Sequence, residues 1–323
     1  MSEYDGLQRR LDNKEVIILD GAIGTQLQTM DVPMNSHAWA ATALHTSPYT
    51  VKRMHENYID AGVDVITVNT YSAARHNLEP LGLAELTAEL NLRAVMLAQE
   101  ARDRRAKDRP VLIGGSVSNY GLKVGTESAW RSDRRRTETS EAQAKANLRE
   151  QAEILAAAGV DLMIAESTGG HQHRQWVTEA CVATGLPTWV GFKCHLAEGG
   201  TTPLIGYASE LPLADGFDEV VAIGGSVVNV FHSPLDATDA ALDVVRAKWS
   251  GPIGVYPESE RSDYIARYRN ESVPTRYGPD EFVEWAKACV AGGVQVIGGC
   301  CGIEVDYIRP LRDALPTHVP GAG

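Results

Sequence analysis

The stretch Ala291-Gly292-Gly293-Val294-Gln295-Val296-Ile297-Gly298-Gly299-Cys300-Cys301-Gly302 runs from the end of a helix, through a strand, into a turn. Gly292 and Gly293 follow a segment of helical periodicity, Asp280–Ala291, and cap it, because glycine takes the left-handed conformation that ends a helix. Val294–Ile297 is a short apolar run that reads as a buried strand. Glycines then flank two adjacent cysteines, which reads as a tight turn of small residues.

The same phrase recurs upstream. Asp60-Ala61-Gly62-Val63-Asp64 and Ala157-Ala158-Gly159-Val160-Asp161 each close a helix and open a strand. Working outward, strands are expected at Val16–Asp20, Val63–Asn69, Val111–Ser116, Leu162–Glu166, Thr188–Cys194, Val227–Phe231, Ile253–Tyr256 and Val294–Cys301. Helical periodicity lies between them, as at Pro48–Ala61, Leu83–Arg105 and Thr139–Ala158. Eight apolar strands alternating with helices predict an α/β protein of the (β/α)8 TIM barrel type. A doubly wound open sheet shares this alternation, but no Gly-x-Gly-x-x-Gly follows the first strand. No Pro/Ser-rich linker interrupts the chain, so residues 1–323 are expected to form one domain with a core of residues 14–316.

Composition narrows the function. The chain has 323 residues, 44% of them hydrophobic, which suffices for a large core. Its formal net charge of -12 argues against nucleic acid or an anionic membrane as partner. The basic run Arg131 to Arg136 sits among acidic neighbours and reads as a solvated segment. No run of about twenty apolar residues predicts a membrane span. The polar N-terminus lacks a secretory pattern, so the five cysteines are expected as reduced thiols in the cytoplasm. The number of copies is left open, and a homo-oligomer is allowed.

In a barrel of this kind the active site is built at the C-terminal ends of the strands. Those ends here carry Asp20, Asn69, Ser116, Glu166, Cys194, His232, Glu258 and the pair Cys300–Cys301. Two neighbouring thiolates can hold one soft metal ion such as zinc. They can equally be small buried packing residues. A metal at this mouth would activate a thiol substrate, whose free pKa is about 8.5, for attack on a methylated cation. Asp20 alone reads more readily as an N-cap or turn residue beside Gly21 than as a functional one. A carboxylate closing an apolar strand, as Glu166 does, points to the mouth.

The motifs Asp20-Gly21-Ala22-Ile23-Gly24-Thr25, Ala61–Tyr71 ending in Asn69-Thr70-Tyr71, and Gly298-Gly299-Cys300-Cys301-Gly302 resemble the homocysteine S-methyltransferase family from about Val16 to Leu315. The resemblance implies a zinc-containing (β/α)8 barrel that moves a methyl group from a cationic sulfonium or betaine-type donor to the thiol of homocysteine. It implies Cys300 and Cys301 as zinc ligands. It implies Glu166 as the carboxylate on the homocysteine amino group and Asp20 as a second acidic residue at the floor. Gly21, Thr25, Asn69 and Asn229 are implied in substrate binding.

The chain departs from the family pattern at strand six. The family takes a third zinc cysteine from an Asn-Cys phrase there; this chain reads Val228-Asn229-Val230-Phe231-His232-Ser233-Pro234, with Val230 at the cysteine position. Three outcomes are open: Cys194 supplies the ligand, His232 supplies it, or no metal binds. His232 itself reads as a turn or substrate contact. Without zinc, the barrel would be a binding or regulatory module that keeps the Glu166 pocket, or an enzyme using Cys300 or Cys301 as nucleophile. Cys181 and Cys289 read as packing. Trp130 and Glu258 are expected to line a cationic donor pocket, and His171 and His173 to begin a solvated helix.

Overall fold

Gly62, Gly159 and Gly293, the glycines of the recurring phrase, all have left-handed backbones, with φ of +94°, +89° and +96°. A side chain at these positions would be strained, and each glycine follows a helix end and stands three residues before the next strand begins. The molecule is seen in a computed structural model that describes residues 2–124, 127–128, 137–207, 209–259 and 275–321. Trp130 and the run Arg131 to Arg136 lie outside the described residues.

Eight parallel strands form one sheet: β1 (Ile17–Ile18), β2 (Val65–Thr67), β3 (Leu112–Ser118), β4 (Leu162–Ser167), β5 (Thr188–Phe192), β6 (Val227–Phe231), β7 (Ile253–Tyr256) and β8 (Val296–Ile297). Their spatial order is β1-β8-β7-β6-β5-β4-β3-β2. A parallel bridge between Leu19 and Val65 joins the two ends into a barrel. The longer helices among the described residues are α1 (Glu3–Asp12), α2 (Pro48–Asp60), α3 (Thr87–Arg105), α4 (Glu141–Ala157), α5 (His171–Val182), α6 (Leu213–Val221), α7 (Leu235–Lys248) and α8 (Pro279–Ala291). The expected single-domain (β/α)8 barrel is the fold observed.

Strand alternation separates two cores. Inward side chains such as Ile17, Val65, Leu162, Trp189, Val227 and Phe231 fill the barrel. Outward ones such as Ile66, Val190, Val228 and Val230 pack the sheet against the helices. Helix α1 adds Tyr4, Leu7 and Leu11 to the inner core. Its Tyr4 hydroxyl accepts from the Trp189 indole N–H at 3.1 Å and bonds Ser226 Oγ at 2.8 Å. The N-terminal end of the barrel is thereby plugged, and the C-terminal end is left to carry a site.

Several elements differ from expectation. The first, second, fifth and last strands are shorter than the runs Val16–Asp20, Val63–Asn69, Thr188–Cys194 and Val294–Cys301. Beyond Ile297 the chain still donates backbone bonds, from Gly298 N to Val255 O (2.9 Å) and Gly299 N to Asp20 O (3.0 Å), but it does so from the glycine turn. His171 does begin α5, but His173 is fully buried, with its ring 5.1 Å from that of Trp176. Within the first turn of α5, His173 and Arg174 are buried while Gln172 stays exposed, so His173 is core and not solvated. Cys181 and Cys289 are buried in the sheet–helix core. No helix among the described residues is long and apolar enough to cross a membrane.

One buried histidine makes the fold acid-sensitive. His55 of α2 is wholly buried, and neither ring nitrogen has a hydrogen-bond partner among the described residues. Burial holds its pKa down at about 4. The unfolded chain titrates near 6.5, so below that pH the unfolded state binds the extra proton and stability falls until about pH 4. At pH 5 this costs about 2 kcal/mol relative to pH 7.5. His55→Met is expected to recover about that amount at pH 5, measured as the difference in urea unfolding free energy between the two pH values. An identical pH dependence in parent and variant would refute the assignment.

Candidate active site

A cavity opens at the C-terminal mouth of the barrel. Its walls include Asp20, Gly21, Asn69, Glu166, Cys300 and Cys301. Six of the eight site residues expected from the sequence therefore share one space. Thr25 and Asn229 do not line it. Thr25 Oγ1 accepts from Gly302 N at 3.0 Å and holds the cysteine turn from outside. Asn229 lies inside the barrel, one inward position before Phe231, with both amide atoms unpartnered among the described residues. The Asn69 side chain donates to Ala40 O at 2.9 Å, which ties the end of β2 to the loop before α2.

Two carboxyl groups form the floor. Asp20 follows β1, and its oxygens accept from Thr67 N (2.6 Å) and Thr67 Oγ1 (2.9 Å). Burial pushes its pKa up to about 8, against the lowering effect of the Thr67 bonds; the nearby Glu166 raises it further. Glu166 ends β4 and accepts from the Ser116 hydroxyl. Burial pushes Glu166 up to about 7, partly offset by the Ser116 bond. Two desolvated carboxyls on one cavity, offset only in part by His232 beside Glu166, favour a cationic group entering it.

On another wall, three donors converge. His232 Nδ1 or Nε2, Cys300 Sγ and Cys301 Sγ lie within 4.8 Å of one another. His232 Nδ1 is 3.2 Å from Cys300 Sγ. The cysteines come together because the turn packs closely: a Cβ on Gly299 would stand 2.3 Å from Ile303 Cγ2, so only glycine fits. The histidine arrives by a backbone device. Along β6, Val227 and Phe231 face inward while Val228 and Val230 face the helices. Alternation would send residue 232 outward. His232 instead has φ of +46°, and this left-handed turn brings it to the cavity beside Phe231. Histidine tolerates that region better than β-branched residues do.

Val230, expected at the ligand position, is in the sheet–helix core and does not line the cavity. Cys194 is fully buried in that same core, and burial pushes its thiol up to about 11. It is not among the converging donors. Glu258 lies behind His232 rather than on the cavity wall, with Oε2 3.3 Å from His232 Nε2.

Aromatic rings complete the mouth. Tyr71 and Tyr120 have centroids 5.5 Å apart, and Trp39 lies 6.2 Å from Tyr71 and 6.4 Å from Tyr120. Trp39, at φ of +38°, enters from the loop before α2. Sequence reading missed it and Tyr207, because neither follows a barrel strand; their only signal is that they are aromatic residues in loops.

Residues 17–315 match the sequence profile described as homocysteine S-methyltransferase, which covers nearly the whole chain. The chain belongs to the homocysteine S-methyltransferase family. Curated relatives agree along their length. The homocysteine S-methyltransferase of Escherichia coli is 28% identical, covering 97% of this chain and 99% of its own. The selenocysteine methyltransferase of Astragalus bisulcatus is 27% identical, covering 93% and 92%. Among solved structures, the metallated form of the E. coli homocysteine methyltransferase superposes with a TM-score of 0.72 at 24% identity, covering 95% of this chain and 99% of that one. That likeness supports the barrel fold.

Proposed function

We propose that this family member transfers a methyl group from a cationic sulfonium or betaine-type donor to the thiol of homocysteine or a similar thiol, with zinc held by His232, Cys300 and Cys301. The observation that carries this reading is the convergence of one nitrogen and two sulfur donors on the same cavity as two buried carboxyls. The donor set fits the metal. Thiolate and imidazole are zinc ligands, and three protein ligands with a fourth position open is the pattern of catalytic zinc. A tetrahedral centre with bonds of about 2.0–2.3 Å spaces its donors roughly 3.3–3.8 Å apart, within the spread seen here. Bound zinc would supply a lowered thiol pKa at neutral pH.

The chain's own residues do the rest. Glu166 and Asp20 hold the ammonium of the amino-acid acceptor and thereby aim its thiol at the cysteine wall. Trp39, Tyr71 and Tyr120 present ring faces to the methylated cation, an attraction of about 0.5–2 kcal/mol per ring when water is excluded. Free, reduced cysteines suit a reducing compartment such as the cytoplasm. The test is elemental analysis of the purified protein together with methyl transfer to homocysteine from S-methylmethionine and betaine. About one zinc per chain with turnover on either donor is expected; no zinc and no transfer would overturn the reading.

The ligand assignment makes its own prediction. His232→Cys is expected to retain zinc, because it keeps a donor on the inward turn. In a His232→Ala background, Val230→Cys is expected to recover no zinc, because that side chain faces the helices. Metal content by mass spectrometry reads both; zinc regained through Val230→Cys would sink the assignment.

A further inference from the structure

His232 is gripped on the side away from the cysteines. Its Nε2 is 3.3 Å from Glu258 Oε2, and the Tyr207 hydroxyl bonds the same nitrogen. Both His232 and Glu258 are buried. The backbone that carries Glu258 is tied to both donor-bearing turns. Glu258 N donates to Ser233 O (3.0 Å) and His232 N to Tyr256 O (2.9 Å). Cys300 N donates to Pro257 O (2.8 Å) and Ser259 N to Cys301 O (2.9 Å). The main chain at Glu258 is therefore held in register with both the His232 turn and the cysteine turn.

We propose that Glu258 is a positioning residue of the metal centre: it holds the His232 proton on Nε2, turns the Nδ1 lone pair toward Cys300 and Cys301, and restores the negative charge that a third thiolate would have carried. This rests on the zinc reading above. An ionised carboxylate only accepts hydrogen bonds, so the imidazole nitrogen facing Glu258 must be the one bearing hydrogen. The Tyr207 oxygen shares that N–H. The opposite nitrogen, Nδ1, then carries the lone pair, and it is the one that lies 3.2 Å from Cys300 Sγ. A neutral imidazole in place of a thiolate leaves the centre one negative charge poorer. A carboxylate behind the ring offsets this and raises the basicity of the ligand nitrogen. Histidine at position 232 and glutamate at position 258 thus work as a pair.

The experiment is a double-mutant cycle on metal affinity. Zinc affinity is measured by chelator competition, and the cobalt(II)-substituted protein reports thiolate coordination through its charge-transfer absorption. The proteins are the parent, Glu258→Gln, His232→Cys and the double variant. Glu258→Gln is expected to weaken zinc about 10–100-fold while both thiolate bands persist. In the His232→Cys background the same change is expected to leave affinity within about twofold, since no imidazole remains to orient. Tyr207→Phe, which removes the other partner of Nε2, is expected to show a smaller loss of the same sign and serves if Glu258→Gln does not fold. Zinc affinity unchanged in Glu258→Gln, or reduced equally in the His232→Cys background, would overturn the pairing alone. A parent that takes up no zinc or cobalt would overturn the zinc reading and the pairing together.

Discussion

Cys301→Ser is expected to strip the protein of zinc and to slow methyl transfer to homocysteine about 10³-fold, close to 4 kcal/mol of barrel-mouth chemistry. Two losses make up this figure. A free thiol with a pKa near 8.5 is about one-tenth ionised at pH 7.5, so losing its activation costs roughly tenfold. The rest comes from position: an untethered thiol is free to leave the line of attack, and a misplacement of about 1 Å costs on the order of 10²-fold. Serine matches the volume of cysteine but is not a zinc ligand. Cys301 is buried against a turn held by Gly302 N to Thr25 Oγ1 and Ser259 N to Cys301 O. The fold is therefore expected to survive, with an unfolding midpoint within a few degrees of the zinc-free parent. Zinc content and rate must fall together. If the parent holds no zinc and the variant still loses its activity, Cys301 is a nucleophile and the metal reading fails. If the variant keeps its rate without zinc, neither cysteine role survives.

The barrel is legible in the sequence because its strands are Val, Ile and Leu runs preceded by glycines whose left-handed φ the helix ends require. Of the floor, Glu166 is legible because a carboxylate closing an apolar strand points to the mouth; Asp20 alone reads as a turn residue, and only the family resemblance marks it. The sequence leaves the proposed third donor open among Cys194, His232 and none, and backbone geometry separates the candidates. Strand periodicity assigns residue 232 to the outer face. A single positive φ reverses this and brings His232 to the cavity, which strand spacing does not report. Val230 then needs no explanation as a lost ligand, since its side chain serves the sheet–helix core. Trp39 and Tyr207 are hidden because loops carry them to the cavity from outside the strand pattern. Glu258 was visible at a strand end, but its place behind His232 depends on backbone ties that spacing does not report.

Glu166→Gln is expected to raise KM for homocysteine about 10²-fold or more, with a smaller effect on kcat. The change is nearly isosteric, so the Ser116 hydroxyl can still donate to the side-chain oxygen. What disappears is a buried charge facing the ammonium of the acceptor, and removing one partner of a buried, hydrogen-bonded charge pair costs about 2–5 kcal/mol. The pH dependence separates this from simple loss of shape. Burial holds Glu166 near 7 and Asp20 near 8 in the free protein. Below those values the carboxyls are protonated and offer the ammonium no charge; above them they are ionised. Acceptor affinity should therefore rise with pH between about 6 and 8. Ionisation of the acceptor thiol pushes the rate in the same direction, but it does so equally in parent and variant. The ratio of kcat/KM between parent and Glu166→Gln cancels it. That ratio is expected to grow through pH 7 and to level off above it, measured at saturating methyl donor. A ratio that stays flat from pH 6 to 9 would show that Glu166 contributes packing rather than charge, and an unchanged KM would remove it from the acceptor site altogether.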